Sequence, residues 1–187
     1  PIGLDTIIFD SQCKLTSIPS GFGTGLTDLS SVILASDGSL NTIESEAFKL
    51  STTINTGNYV TELSGVSGFS VNIPNSVNTF EEAAFRYAHV TSITFDSSSS
   101  LTEISNNTFS ECNKLNEISI PDGVTQISTN AFNNCNNLTS VTLPNSLESI
   151  GTNLFPNLTG SLTIPTSVSS IGTCLLYTSP SPRDSVV

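Results

Sequence analysis

The chain has 187 residues, and 16 acidic against 5 basic side chains give a formal net charge of −11 at pH 7. The cations Lys14, Lys49, Arg86, Lys114 and Arg183 lie far apart, which excludes a surface that tracks nucleic-acid phosphates. No apolar run approaches a membrane span and no signal peptide opens the chain; a start at Pro1 and the lack of Met are expected of a fragment or a processed product.

In chain order, a weak first unit pairs Ile7 with Phe9 and continues to Leu15 and Ile18. The cluster GFGTG at Gly21–Gly25 lacks the third spaced glycine of a phosphate-binding loop and reads as a flexible turn. Two patterns then alternate. A pair of apolar residues two apart recurs as Val32/Leu34, Val71/Ile73, Ile93/Phe95, Ile118/Ile120, Val141/Leu143 and Leu162/Ile164, with a polar residue between them in all but the first. Each is followed by a triplet spaced +3 and +8: Leu40-Ile43-Phe48, Val77-Phe80-Phe85, Leu101-Ile104-Phe109, Val124-Ile127-Phe132 and Leu147-Ile150-Phe155. Val168 and Ile171 begin a sixth. Two back-to-back windows of 23 residues, Leu115–Asn137 and Leu138–Gly160, carry apolar residues at the same positions. An insertion near 49–70 is the largest departure from this period.

Each position has a physical reason. The alternating pair predicts a short strand with two side chains on a core face. Pro74, Pro121, Pro144 and Pro165 have no N–H to donate and so close the strand. Gly151 and Gly172 are expected to supply a positive φ before the next bend. Ala-Phe or Leu-Phe then predicts a short helical turn, with the acids Glu44/Glu46 and Glu81/Glu82 at its N-terminus. One such unit cannot bury its own apolar side, so copies must stack. The expected fold class is an α/β solenoid, with parallel strands on one side and helical turns on the other.

The pattern L-x-x-[IV]-x-[IL]-P-x-[SG]-[VL]-x-x-[IF]-[GS]-x-x-[AL]-F-x-x-C resembles the BspA-like subclass of leucine-rich repeats. The match is good from about Val71 to Thr173 and looser from Ile7 to Leu50. Phe85, Phe109, Phe132 and Phe155 fall on the family's Phe, and Cys112 and Cys135 on its Cys. Phe80 replaces Ile, while Ala88 and Leu158 stand at the Cys position. The resemblance implies a right-handed leucine-rich-repeat superhelix from an extracellular or cell-surface protein, associated with adhesion and recognition rather than catalysis.

Stacking sets the outward strand residues in columns about 4.8 Å apart. One column is Ile33, Asn72, Thr94, Ser119, Thr142 and Thr163; the other is Ser31, Ser70, Ser92, Glu117, Ser140 and Ser161. The candidate binding face takes Asn72, Thr94, Glu117, Ser119, Ser140, Thr142, Ser161 and Thr163, toward a protein or glycan partner. A surface that only keeps the solenoid soluble is the plainer alternative, and a structural stalk presenting another domain is the rival function.

The remaining candidates point away from chemistry. Cys13, Cys112, Cys135 and Cys174 show no metal-ligand spacing. Cys112 and Cys135, one window apart, could form a disulfide, but a ladder of buried thiols is favoured. His89 is expected to be structural or exposed, with no oriented partner for catalysis. The paired acids lack a calcium-loop pattern, and no cofactor or metal is expected. Asn106, Asn137 and Asn157 are N-glycosylation acceptors by sequence.

At Cys174 the period breaks. Cys174–Asp184, CLLYTSPSPRD, resembles translated sequencing-adapter sequence, with all eleven residues matching. The expected organisation is a repeat domain over 1–173 of about seven coils, truncated at both ends, and a non-native tail over 174–187.

Overall fold

The computed structural model describes residues 3–26, 28–34, 38–49, 68–158, 161–173 and 175. The chain winds into coils that contribute two short strands each. On the first face lie β1 (Thr6–Ile8), β3 (Ser31–Ile33), β5 (Phe69–Ile73), β7 (Val90–Phe95), β9 (Glu117–Ser119) and β11 (Ser140–Thr142). On the second lie β2 (Ser17–Ile18), β4 (Thr42–Ile43), β6 (Thr79–Phe80), β8 (Glu103–Ile104), β10 (Gln126–Ile127), β12 (Ser149–Ile150) and β13 (Ser170–Ile171). All pairings are parallel, and equivalent residues stand opposite one another: Val32 beside Val71 beside Ile93, and Ile127 beside Ile150 beside Ile171. The first-face ladder runs β1-β3-β5-β7 and resumes as β9-β11; the second runs β2-β4-β6 and then β8-β10-β12-β13. The insertion falls mostly on 50–67, outside the described residues. Its end, Phe69, opens β5 and is buried.

The second ladder was not foreseen from the spacing. Ile43, Phe80, Ile104, Ile127 and Ile150 hold the middle of a triplet by spacing, and Ile18 a place in the first unit, yet each also ends a two-residue strand. A strand this short offers one inward residue, so it leaves no alternation to detect.

The helical turn expected after each triplet does not form. No helix occurs among the described residues, and the α/β assignment gives way to a parallel-strand β-solenoid of about six turns. The reason lies two residues before each stacked Phe. Glu46, Ala83, Asn107, Asn130 and Asn153 have φ of 54°, 62°, 57°, 58° and 54°. A left-handed residue reverses the carbonyl direction, so a right-handed helix cannot propagate through it. The N–H groups then divide between two tasks. Ala84, Arg86 and Ala88 donate back three residues, to Glu81, Ala83 and Phe85. Ala83, Phe85 and Tyr87 donate across to Asn106, Thr108 and Ser110 of the next coil at 2.9–3.0 Å. Asn107, Phe109 and Glu111 repeat this toward Thr129, Ala131 and Asn133. A helix would have satisfied these donors internally and left the coils unlinked on this side.

The glutamates therefore do not sit at a helix N-terminus. Glu44 instead binds the preceding coil: its carboxylate accepts from Ser17 Oγ at 2.6 Å and from Ser20 N at 3.1 Å. The Ser17 bond, and then the Ser20 bond, hold its pKa below the usual carboxylate range, with slight desolvation opposing. Glu81 likewise accepts from Ser45 N at 3.0 Å.

Two more expectations are corrected. Gly151 and Gly172 are not among the residues with positive φ. They are required by close approach: a Cβ on Gly151 would lie 2.6 Å from the Ser128 carbonyl carbon, and one on Gly172 2.6 Å from Thr152 N. Leu162 and Ile164 also form no strand, although both pack against the core. Phe132 to Val141 spans nine residues but Phe155 to Leu162 only seven, so the last return lacks a counterpart of Leu115 and Leu138. Without that anchor the segment packs but does not pair.

The core is one continuous cluster whose spine is a column of rings. Phe48, Phe85, Phe109, Phe132 and Phe155 stack with successive centroid distances of 4.8, 5.5, 5.2 and 5.2 Å, each at most 2 % exposed. The first coil places Gly23 where the column calls for Phe, since Gly23 N donates to Ala47 O as Phe48 N donates to Ala84 O. Phe22, one residue earlier, closes that end edge-on to Phe48 at 5.6 Å.

Phe109→Ala, in mid-column, should lower the unfolding free energy by about 3–5 kcal/mol. Gly151→Ala, which adds a single methyl against backbone, should cost about 1–3 kcal/mol. Chemical denaturation measures both; a loss below about 1 kcal/mol in each would contradict the stacked interior.

Candidate binding face

The side chains on the outside of the first face follow from strand alternation. Val32, Val71, Ile93 and Ile118 point inward, so the residues on either side of each point out. Pairing aligns Thr6, Ser31, Ser70 and Ser92 in one column and Ile8, Ile33, Asn72 and Thr94 in the other. Glu117 with Ser140, and Ser119 with Thr142, continue them. Asn72, Thr94, Glu117, Ser119, Ser140 and Thr142 are all exposed; Asn72 is in register with Thr94, and Glu117 and Ser119 with Ser140 and Thr142. Ser161 and Thr163 are exposed too, but lie beyond the last paired strand of this face.

Within the columns, Thr94 Oγ1 donates to Asn72 Oδ1 at 2.8 Å, and Asn72 Nδ2 to Asp96 Oδ1 at 2.8 Å. Asp96 also accepts from Asn75 N at 3.2 Å, which ties the strand ends to the adjoining loop. Two open grooves follow the face. One, of about 330 Å³, runs along Ser31, Ile33, Ser70, Asn72, Ser92 and Thr94. The other, of about 580 Å³, is lined by Thr94, Ser119 and Thr142 together with Phe95, Asp96 and Asp122. Asp96, Asp122 and Phe95 were outside the residues chosen from sequence; they belong to strand ends and turns, whose direction a two-residue period does not predict.

The sequence reading also missed Ile8. Placing Ile7 and Phe9 inward puts Ile8 outward, where it is 67 % exposed beside Ile33 at 49 %. The face thus begins with an apolar pair and is hydroxylated beyond it, with Glu117 standing among the hydroxyls of β9 and β11.

Other singled-out residues take structural places. His89 is buried and its carbonyl accepts from Phe69 N at 3.0 Å. Asn106, Asn137 and Asn157 are exposed, but the Thr108 hydroxyl that completes the first acceptor is buried and donates to Ser105 O. Asn137 Nδ2 donates to Asn113 O. No group of three His, Cys, Asp or Glu suited to a metal occurs among the described residues. No helix there is long and apolar enough to cross a membrane.

Parallel two-stranded coils around a Phe column, with one row of strands turned outward, define a leucine-rich-repeat solenoid. The profile of the BspA type leucine rich repeat region matches residues 64–181 in 6 copies, and the chain belongs to that family. Among solved structures, a leucine-rich repeat protein from Bacteroides ovatus ATCC 8483 is similar at 24% identity and TM-score 0.71, over 93% of this chain and 40% of that one. The pneumococcal vaccine antigen PcpA is similar at 26% identity and TM-score 0.58, over 73% and 33%. A leucine-rich repeat protein from Eubacterium ventriosum ATCC 27560 follows at 16% identity and TM-score 0.60, over 94% and 46%. The chain therefore spans less than half the length of these proteins. No curated protein matches it.

Cys112 and Cys135, at the family's Cys position, are free thiols stacked on the turn side. Each Sγ–H donates to a carbonyl of the preceding coil at 3.0 Å, Phe85 O and Phe109 O respectively. Burial pushes both thiols up; Cys135 reaches about 12 from 9.0, and Cys112 is raised well above that ordinary value, with proximity to Cys135 adding. The folded state thus prefers the protonated thiol. This stabilisation is fully present below the unfolded-state pKa and is lost as pH rises from about 9 toward about 12. Stability should fall over that window, and less steeply in Cys112→Ala/Cys135→Ala. Mass mapping after brief alkylation should find Cys13 modified and these two protected; equal labelling of all three would refute the buried ladder.

Proposed function

We propose that the chain is a non-enzymatic recognition module of a secreted or cell-surface protein, meeting a protein or glycan through its outward strand face. The observation that carries this is the pair of exposed columns, held in register across β1-β3-β5-β7 and again across β9-β11. Thr94, Ser119, Ser140 and Thr142 contribute neither to the core nor to turn formation, so their regularity is available for contact. Affinity per coil is expected to be weak, because the outward positions lack the Tyr, Trp and Arg anchors of strong interfaces. Contacts repeated over many coils supply the total. Likeness to PcpA, described as a vaccine antigen, supports the surface location. On this reading residues 1–173 form the module and 174–187 are foreign; sequencing the parent gene past the Thr173 codon tests the boundary.

The full chain should be screened against immobilised matrix proteins and a glycan array. Ser119→Arg/Thr142→Arg, which fills the larger groove, should abolish whatever binding is found, while Thr129→Arg on the turn side should not. Binding indifferent to the groove variant, or no partner at all, would count against the proposal.

A further inference from the structure

Resting on that reading of the face, we infer that its partner is a polypeptide carrying an apolar side chain and, displaced along the solenoid axis, basic side chains. The first observation is the Ile8–Ile33 pair. Ile33 lies between β1 and β5, with a paired strand on each side. Further coils stacked on either end would cover sheet edges and never this outward surface, so Ile33 stays exposed at 49 % in an array of any length. Serine and threonine fill most neighbouring outward positions, so an Ile here is not required by the strand. It adjoins the smaller groove, together with Asn72.

The second observation is charge. Glu117 is exposed on β9, and Asp96 and Asp122 border the larger groove. The described cations, Lys14, Lys49, Arg86 and Lys114, all lie outside the strands of this face. A chain of net charge −11 draws cationic partners from a distance, and the groove supplies the local complement. From Ile33 on β3 to Ser119 on β9 is three strand steps, about 14 Å. An extended peptide spans that distance in about four residues.

Fluorescein-labelled peptides LTSTKTK, LTSTETE and STSTKTK test this against the full chain by anisotropy, at low and high salt. LTSTKTK should bind best and weaken with salt. Ile33→Asn should reduce its binding about tenfold, to the level of STSTKTK. Glu117→Gln/Asp122→Asn should reduce it several-fold and flatten the salt dependence. All three positions are exposed, and circular dichroism should find these variants folded. Equal binding of LTSTETE, or indifference to both sets of substitutions, overturns the inference. Glycan binding sensitive to Ser119→Arg/Thr142→Arg, with no peptide bound, overturns it while leaving the strand-face reading intact. No ligand of either class at this face overturns both.

Discussion

Every coil depends on its neighbours for an interior. A single turn of this chain offers a few inward Leu, Ile and Val and one Phe, too little to remove from water alone. Stacking turns these residues into one core, and the ring column shows how directly. Neighbouring rings of the column lie about 5 Å apart, a geometry that adds about 0.5–1.5 kcal/mol per pair beyond burial. The rings sit on the turn side, where no wide sheet could cover them. They close the core at the place where the backbone is least regular.

The same constraint explains the composition. A right-handed helix at each turn would consume its own N–H groups; a left-handed residue sends alternate donors to the next coil instead. Asn tolerates positive φ better than most residues, and it fills these positions at 107, 130, 134 and 153. Its side chain is then used again, as Asn153 Nδ2 donates to Asn130 Oδ1 at 3.0 Å and Asn134 Nδ2 to Glu111 Oε1 at 2.7 Å. Part of the chain's Asn content thus serves a conformational role, which Glu46, Ala83, Tyr87 and Glu111 fill at the equivalent places of other coils.

Because the interior is supplied by inward residues and the turns, the outward strand positions answer only to solubility and to whatever they meet. That freedom allows the first face to change character along its length, from Ile8 and Ile33 to hydroxyls with Glu117 among them, without disturbing the stack. It also limits the face. Its side chains are short, its grooves are open, and its strongest internal tie, Asn72–Thr94–Asp96, orders the surface without building an enclosed pocket.

The sequence by itself determined the repeat, the inward set and the outward columns, because periodic burial writes itself directly into residue type. Phe109, Phe132 and Phe155 could be placed in one column from spacing alone, and Thr94, Ser119 and Thr142 on one face. Only the tertiary structure decided what the intervening segments do. Whether Asn107 enters a helix or breaks it depends on a carbonyl one coil away. Whether Gly151 serves φ or close approach depends on how near Ser128 comes. These are contacts between coils, and a pattern read within one coil carries no record of them.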